Sequence, residues 1–341
     1  MITKMKHLLE IPDYLKRLSS IRGGHQEAQS SGFIVVADQI LVSKFPKFMR
    51  EFQDPSFECI ELSNQPPFKS LHGFQVLAET ILAKGLRKDS IIVAIGGGSL
   101  TDLVGFTASV LLRGVAWISI PTTYLAMIDA SIGGKTALDT KYGKNLIGTF
   151  HMPIDTLICA EFLSTLDPLE IESGHGELIK YALLSKDIEE KIEERKPLSE
   201  IIYAAANYKS DVVGRDFLDV NERRFLNLGH TLGHAFEVYF NLRHGEAIVW
   251  GLYWEHYIMD LTLVSAKVLD LAGILGLSLT PKITIAEFQH FWKYVAQDKK
   301  IGTHQILELP LVDQNGHGIK VKIPLDDFYE KIEMHAMNLF A

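Results

Sequence analysis

The sequence predicts a chain in two parts, an α/β N-terminal domain followed by a mainly α-helical C-terminal domain, and three observations carry that prediction. At 341 residues the chain is long for a single hydrophobic core. In the first half, short β-branched runs alternate with helical patterns, the rhythm of a mostly parallel sheet covered by helices. From about Glu161 onward the apolar runs lengthen and take a helical period. The division is expected near Pro153 to Glu161, giving domains at residues 1–157 and 158–341.

Taken in order, the strands of the first half are Phe33 to Ala37, Cys59 to Leu62, Ile91 to Ile95 and Val115 to Ile120. The helical runs of the second half are Leu178 to Leu184, Ile201 to Val213, Leu228 to Phe240 and Ala247 to Leu261. Between the first two of these, the charged stretch Lys186 to Lys196 reads as a solvated helix face, its four glutamates offset by Lys191 and Arg195. Gln305 to Leu309 and Ile319 to Ile323, with Asp313 to Gly316 between them, read as a hairpin, to which no function is attached.

Bulk composition excludes several function classes. With 34 basic and 42 acidic residues the net charge is −8, which argues against nucleic acid or an anionic membrane as the main partner. Cys59 and Cys159 are too few for a disulfide framework, which suits a reducing cytosol. Charges at Lys4, Lys6, Glu10 and Asp13 interrupt any apolar signal core, and no stretch approaches the roughly 20 apolar residues of a membrane span. The expected location is the cytoplasm.

The strand at Ile91 to Ile95 runs directly into Gly96, Gly97, Gly98, Ser99, Leu100, Thr101 and Asp102 and then a helical pattern. A glycine turn between strand and helix lets backbone N–H groups approach a pyrophosphate at the positive end of the helix dipole, so this is a candidate dinucleotide site. It lacks the usual Gly-x-Gly-x-x-Gly spacing, and three glycines in a row also suit a plain tight turn. Pro121, Thr122, Thr123 and Tyr124 add hydroxyls at the end of the next strand, where open α/β sheets bind ligands. Downstream, Lys135, Lys144 and Asn145 fall in what read as glycine-rich loops around Gly133, Gly134, Gly143 and Gly148. Fixed ammonium groups among backbone donors grip phosphorylated or carboxylated small molecules.

Three histidines fall close together in the second half. His230, His234 and Glu237 recur at i, i+4 and i+7 and so share one face of a helix, and His244 follows a loop long enough to fold back toward them. Imidazoles with one carboxylate suit a catalytic divalent ion, although a His pair one turn apart also arises by chance.

These segments together resemble the 3-dehydroquinate synthases, a family of sugar-phosphate cyclases, from about Leu71 to Lys300. The blocks that carry the resemblance are the Gly96 to Asp102 turn, Asp129 to Gly148, Ser173 to Lys180, Arg223 to Glu237, and His244-Gly245-Glu246. The resemblance implies a dehydroquinate synthase-like fold, with an α/β N-terminal nucleotide-binding domain and a helical metal- and substrate-binding domain. It also implies tightly held NAD, a catalytic divalent ion such as zinc or cobalt, and a homodimer. On the family pattern Glu177, His230 and His244 would hold the metal, and His234 would act in catalysis. This replaces the helix-face reading, in which Glu237 supplied the carboxylate.

The family's substrate is a seven-carbon phosphorylated keto-acid. Lys135, Asn145, Asn227 and His234 match the residues that hold its phosphate end, with Arg113 expected from the partner subunit. Lys209, Arg223 and one of Lys299 or Lys300 match at its carboxylate, while Asp129, Lys144 and Lys180 match along its hydroxyl-bearing middle. For NAD the matching positions are Asp38, Lys69, Gly97, Gly98, Ser99 and Asp102, then Thr122, Thr123, Leu125 and Thr165, with Lys135 and Lys144 close by. The chemistry implied is transient oxidation by NAD, elimination of phosphate, reduction and aldol closure at the metal, with no net NADH.

The chain departs from the pattern in three places. Gln65-Pro66 stand where many members carry Gly-Glu, and a proline cannot take over a ribose hydrogen bond. Asp139 stands where Asn is usual, and His175-Gly176 replace an apolar-Ala pair before Glu177. Three rival readings remain: a sister cyclase making 2-deoxy-scyllo-inosose or a valiolone, a metal-dependent glycerol or alcohol dehydrogenase, and a non-catalytic NAD-binding protein. Arg223 favours the carboxylate-bearing substrate, since a buried guanidinium with no anion is costly.

Overall fold

The computed structural model describes residues 1–22, 32–63, 67–277, 291–295 and 305–339. Gln65-Pro66, Lys299 and Lys300 lie outside the described residues. The chain divides into two compact units, Met1–Asp167 and Pro168–Ala341.

The first unit is an α/β layer structure. Its strands are β1 (Ile2–Lys4), β2 (Phe33–Asp38), β3 (Phe57–Leu62), β4 (Ile91–Gly96), β5 (Ala116–Pro121) and β8 (Asp155–Ile158), with β6 (Lys135–Thr140) and β7 (Gly143–Phe150) between the last two. The six-stranded sheet has the order β1-β8-β5-β4-β2-β3 and every pair is parallel. The helices are α1 (Glu10–Arg22), α2 (Gln39–Lys44), α3 (Pro46–Arg50), α4 (Leu71–Ala83) and α5 (Gly98–Val110). Strands β2 and β4 are buried over nearly their whole length, which explains their unbroken Val and Ile runs: parallel strands covered on both faces have no polar side to show. Leu77, Ile81, Leu100, Leu103, Val104 and Trp117 belong to the core on one side of them.

Two expectations are corrected here. The segment with Lys135, Lys144 and Asn145 is not a pair of loops but an antiparallel hairpin, β6 against β7, with Lys135 opposite Phe150. Thr136 and Leu138 point inward along β6, while β7 is mostly exposed and carries glycines, a lysine and an asparagine, a composition that hides a strand. The unit boundary falls at 167/168 and not at 157/158. Strand β8 is an interior strand between β1 and β5, and the short 3-10 turn Ala160–Thr165 after it stays with the same unit.

The second unit is mainly helical: α6 (Pro168–Leu184), α7 (Lys186–Glu193), α8 (Leu198–Arg215), α9 (His230–Tyr239), α10 (His244–Tyr257) and α11 (Thr262–Ile274). Strands β9 (Ile306–Val312) and β10 (Gly318–Pro324) pair as the expected antiparallel hairpin, followed by a C-terminal helix, Leu325–Leu339. Leu307, Leu309 and Leu311 of β9 join Leu232, Phe236, Trp250 and Trp254 in one core. His256 ties the hairpin to α10: its Nδ1–H donates to the Leu252 carbonyl at 2.7 Å, and its Nε2 accepts the Val312 N–H at 3.1 Å. Helix α7 is only partly the solvated face expected of it. Ile188, Ile192 and Glu189 are buried, and Glu189 is ion-paired with Lys186 and Lys267.

Glycines let the helices that matter meet backbone to backbone. A Cβ on Gly251 of α10 would lie 1.8 Å from the Gly229 carbonyl oxygen, just before α9. One on Gly245 would lie 1.8 Å from the Ser173 carbonyl oxygen of α6, and one on Gly176 would lie 2.1 Å from the Gly245 oxygen. Gly229 also takes φ +72°, a left-handed conformation that starts α9 and that L side chains rarely adopt.

Candidate active site

In the first unit, β4 delivers the chain to Gly97, which caps α5 in an extended conformation. The turn is crowded: a Cβ on Gly97 would stand 3.1 Å from Thr123, and one on Gly98 would stand 3.0 Å from Ala130. The Thr122 N–H donates to the Gly96 carbonyl, which fixes the hydroxyl-bearing segment beside the turn. Asp102, on α5, accepts from Lys69 Nζ at 2.6 Å, and the same ammonium donates to Asn145 Oδ1 at 2.6 Å. Asn145 has φ +58°, and its N–H is taken by Asp139 Oδ1 at 2.9 Å, so the unusual aspartate helps to set the conformation of β7. A cavity of about 660 Å³ opens beside these groups, with Lys69, Ser99, Asp139 and Tyr142 among its lining residues.

The remaining first-unit residues are more scattered. Ser99, Lys135 and Lys144 are exposed, while Leu125 and Asp129 are half-buried. Asp129 lies in a π-helical turn, Ala126–Ala130, a geometry that recurs at functional sites. Asp38 uses Oδ1 to cap α2 through the Ile40 N–H, and the Thr165 carbonyl accepts from Lys44. Arg113 is exposed on a strained loop. Leu112, Arg113 and Gly114 have φ of +48°, +61° and +102°, and Lys88 Nζ donates to the carbonyls of Leu112 and Gly114.

In the second unit three helices converge on one cluster. Glu177 on α6, His230 at the start of α9 and His244 at the start of α10 bring one ligand atom each to within 4.8 Å of one another. Glu177 Oε1 stands 3.3 Å from His230 Nε2 and 2.9 Å from His244 Nε2. Each of the three follows or precedes a glycine of the backbone contacts above: Gly176 before Glu177, Gly229 before His230, Gly245 after His244. The packing that brings the helices together therefore also sets the cluster.

The donor set fits a divalent metal ion. His230 Nδ1–H donates to the Leu228 carbonyl at 2.8 Å, which leaves its Nε2 lone pair facing Glu177. His244 Nδ1 is bonded to Glu237 Oε2 at 2.9 Å, which aims its Nε2 the same way. Burial opposes ionisation of Glu177, yet Lys180, at 2.5 Å from Oε2, and the imidazoles hold its carboxyl well below the usual range. Burial depresses His230. Burial acts the same way on His244, but its hydrogen bonds to Glu177 and Glu237 outweigh it and push the imidazole up to about 10. Two nitrogens and one carboxylate oxygen with ligand positions to spare match a catalytic zinc-type site.

His234 is exposed on the same face of α9, its ring 5.2 Å from that of His230 and 6.2 Å from that of His244, outside the ligand set. Lys180 is buried, its Nζ 2.5 Å from Glu177 Oε2. Lys209 on α8 and Arg223 on the 3-10 turn Glu222–Asn227 are buried cations, and Asn227 at the end of that turn is half-buried. The Arg223 guanidinium donates to the Phe217 carbonyl, and Asp216 accepts the Arg223 N–H. Sequence reasoning missed Glu237 as the partner of His244, although its position at i+7 from His230 was the available signal.

The chain matches the family model described as 3-dehydroquinate synthase N-terminal over residues 59–173, and 3-dehydroquinate synthase C-terminal over residues 174–301. A 3-dehydroquinate synthase of Helicobacter pylori is 33% identical over 284 residues, 81% of this chain and 78% of that protein. Among solved structures, a 2-deoxy-scyllo-inosose synthase complexed with carbaglucose-6-phosphate, NAD+ and Co2+ superposes with a TM-score of 0.79 at 21% identity, covering 98% of this chain and 96% of that one. A 2-epi-5-epi-valiolone synthase of Streptomyces hygroscopicus with NAD+ and Zn2+ bound gives 0.76 at 24% identity, covering 99% and 96%. At these identities the two structures speak to the fold alone, and both share its α/β and helical halves.

Proposed function

Because the chain belongs to the 3-dehydroquinate synthase family, we propose that it converts 3-deoxy-D-arabino-heptulosonate 7-phosphate to 3-dehydroquinate and phosphate, a step of the shikimate pathway. The observation that carries this reading is the cluster of Glu177, His230 and His244, whose three candidate ligand atoms lie within 4.8 Å of one another. When bound, NAD would supply a reversible oxidation of the substrate's secondary alcohol and the divalent ion, zinc or cobalt, would polarise that oxygen, so that the neighbouring C–H turns acidic and the cofactor ends each turnover as it began.

The chain's own residues supply binding and proton control. The turn at Gly97 and Gly98 presents backbone N–H groups to the cofactor's pyrophosphate, with Thr122 and Thr123 beside it and Asp102 and Lys69 fixing one another. Lys135, Lys144 and Asn145 provide the donors that a phosphate ester and its neighbouring hydroxyls need. Lys209 and Arg223 are assigned to the substrate carboxylate, which a neutral sugar phosphate lacks. His234, exposed and outside the candidate ligand set, is proposed to act on the departing phosphate. A cytoplasmic location is proposed from the biosynthetic role of the relatives; no described helix is long and apolar enough to cross a membrane. A homodimer is proposed with Arg113, on its strained loop, reaching the partner's site.

Phosphate release tests the substrate. We expect release from the keto-acid phosphate alone, abolished by a chelator and restored by Zn2+ or Co2+. Release from glucose 6-phosphate or sedoheptulose 7-phosphate instead would move the chain to a sister cyclase.

A further inference from the structure

The two histidines of the metal cluster are held from behind by different kinds of acceptor. His230 gives its Nδ1–H to a neutral carbonyl within its own segment, that of Leu228. His244 faces a carboxylate, Glu237 Oε2 at 2.9 Å, which comes from α9 and not from its own helix α10. Glu237 lies two turns along α9 from His230, so one helix supplies both a ligand and the group that orients the ligand on its neighbour. His244 opens α10 with no side chain capping that helix, and its side chain is 28% exposed, so it lacks the close burial that fixes His230.

We propose that Glu237 is a positioning residue for the metal: it holds the His244 ring in the Nδ1–H tautomer, aims Nε2 at the ion and raises the donor strength of that imidazole. A carboxylate behind a ligating histidine does this by accepting the N–H and by stabilising the charge that the ring gains on coordination. It also accounts for the shared face of His230, His234 and Glu237 in the sequence. That face carries a ligand, a catalytic group and an orienting carboxylate, where spacing alone suggested three ligands. The inference rests on the metal reading of Glu177, His230 and His244 given above.

The test is titration of the full-length apo-protein with Co2+, read as affinity and as the visible d–d spectrum, for the unaltered chain, Glu237→Gln and Glu237→Ala. We expect stoichiometric binding by the unaltered chain, and about 10- to 100-fold weaker binding with a changed spectrum for Glu237→Ala. Glu237→Gln, which keeps an oxygen acceptor of the same reach, should fall between them. The Glu237 side chain is only 20% exposed and bonds His244 in the metal-free protein, so Glu237→Ala is expected to melt earlier, and Glu237→Gln, which keeps the acceptor, gives the reading in that case. Unchanged affinity and spectrum in both variants would overturn the positioning role. Failure of the unaltered chain to bind Co2+ would overturn the metal reading itself, a separate result.

Discussion

The groups proposed to meet NAD at the glycine turn of the first unit are backbone N–H donors and partly buried polar side chains, whereas in the second unit the candidate metal-binding atoms sit on side chains held by hydrogen bonds from behind. Lys69, Asp102, Asn145 and Asp139 form a chain of contacts beside a wide cavity. Glu177, His230 and His244 instead depend on three helices meeting through Gly176, Gly229, Gly245 and Gly251. The first arrangement can lose a member and weaken by degrees. The second has little slack, because Glu177 and His230 are fastened to the packing that makes the unit and His244 is held by Glu237.

That contrast is sharpest at single residues. Glu177→Ala should remove stoichiometric metal and lower kcat by on the order of a thousandfold, about 4 kcal/mol of barrier, read by metal analysis and phosphate release. His234→Ala should keep the metal and lose roughly 100- to 10,000-fold in rate, and loss of the metal in that variant would contradict the division of labour. Lys69→Ala should act by degrees, weakening NAD about tenfold in calorimetry as two charge-assisted hydrogen bonds go.

The packing itself can be broken. In Gly251→Ala the new methyl meets the backbone of Gly229 and Gly233, so the helices must part, and unfolding in urea should show a loss of about 3 kcal/mol together with weakened metal binding. Gly214→Ala on α8 is the matched control. Nothing lies within 4 Å of its Cβ, so that change should be neutral or stabilise by roughly 0.5–1 kcal/mol. Equal losses in the two would show that backbone contact is not what fixes the cluster.

The second unit should also answer to acid through His256. Burial pulls its imidazole down to about 4. The unfolded chain takes up this proton below about pH 6.5 and the folded chain does not until about pH 4. The associated stability is therefore complete above pH 6.5 and is lost as pH falls through 4, about 3 kcal/mol in all. Unfolding free energies at pH 7 and pH 4.5 should differ less in His256→Gln than in the unaltered chain, and identical differences would refute this.

The legible and illegible parts of the chain follow the same division. Strands β2, β4 and β5 stood out because parallel strands covered on both faces need β-branched runs, and β3, at the sheet edge, because its residues alternate between buried and exposed. Strand β8 is only four residues long and did not, although it lies inside the sheet. The β6–β7 hairpin was hidden by its glycines and lysines. At the cluster, spacing showed His230, His234 and Glu237 on one face but could not show what crosses from another helix. Glu177 came from the family resemblance, and the pairing of Glu237 with His244 only from the fold. Periodicity reports on one element at a time, and this site is made where three meet.

The central claim, that NAD and metal serve a cyclase and not a dehydrogenase, is tested most directly by following phosphate and NADH absorbance together during turnover of the keto-acid phosphate with excess NAD. One phosphate should be released per substrate consumed, with no accumulation of NADH. NADH rising in step with substrate loss would contradict that claim.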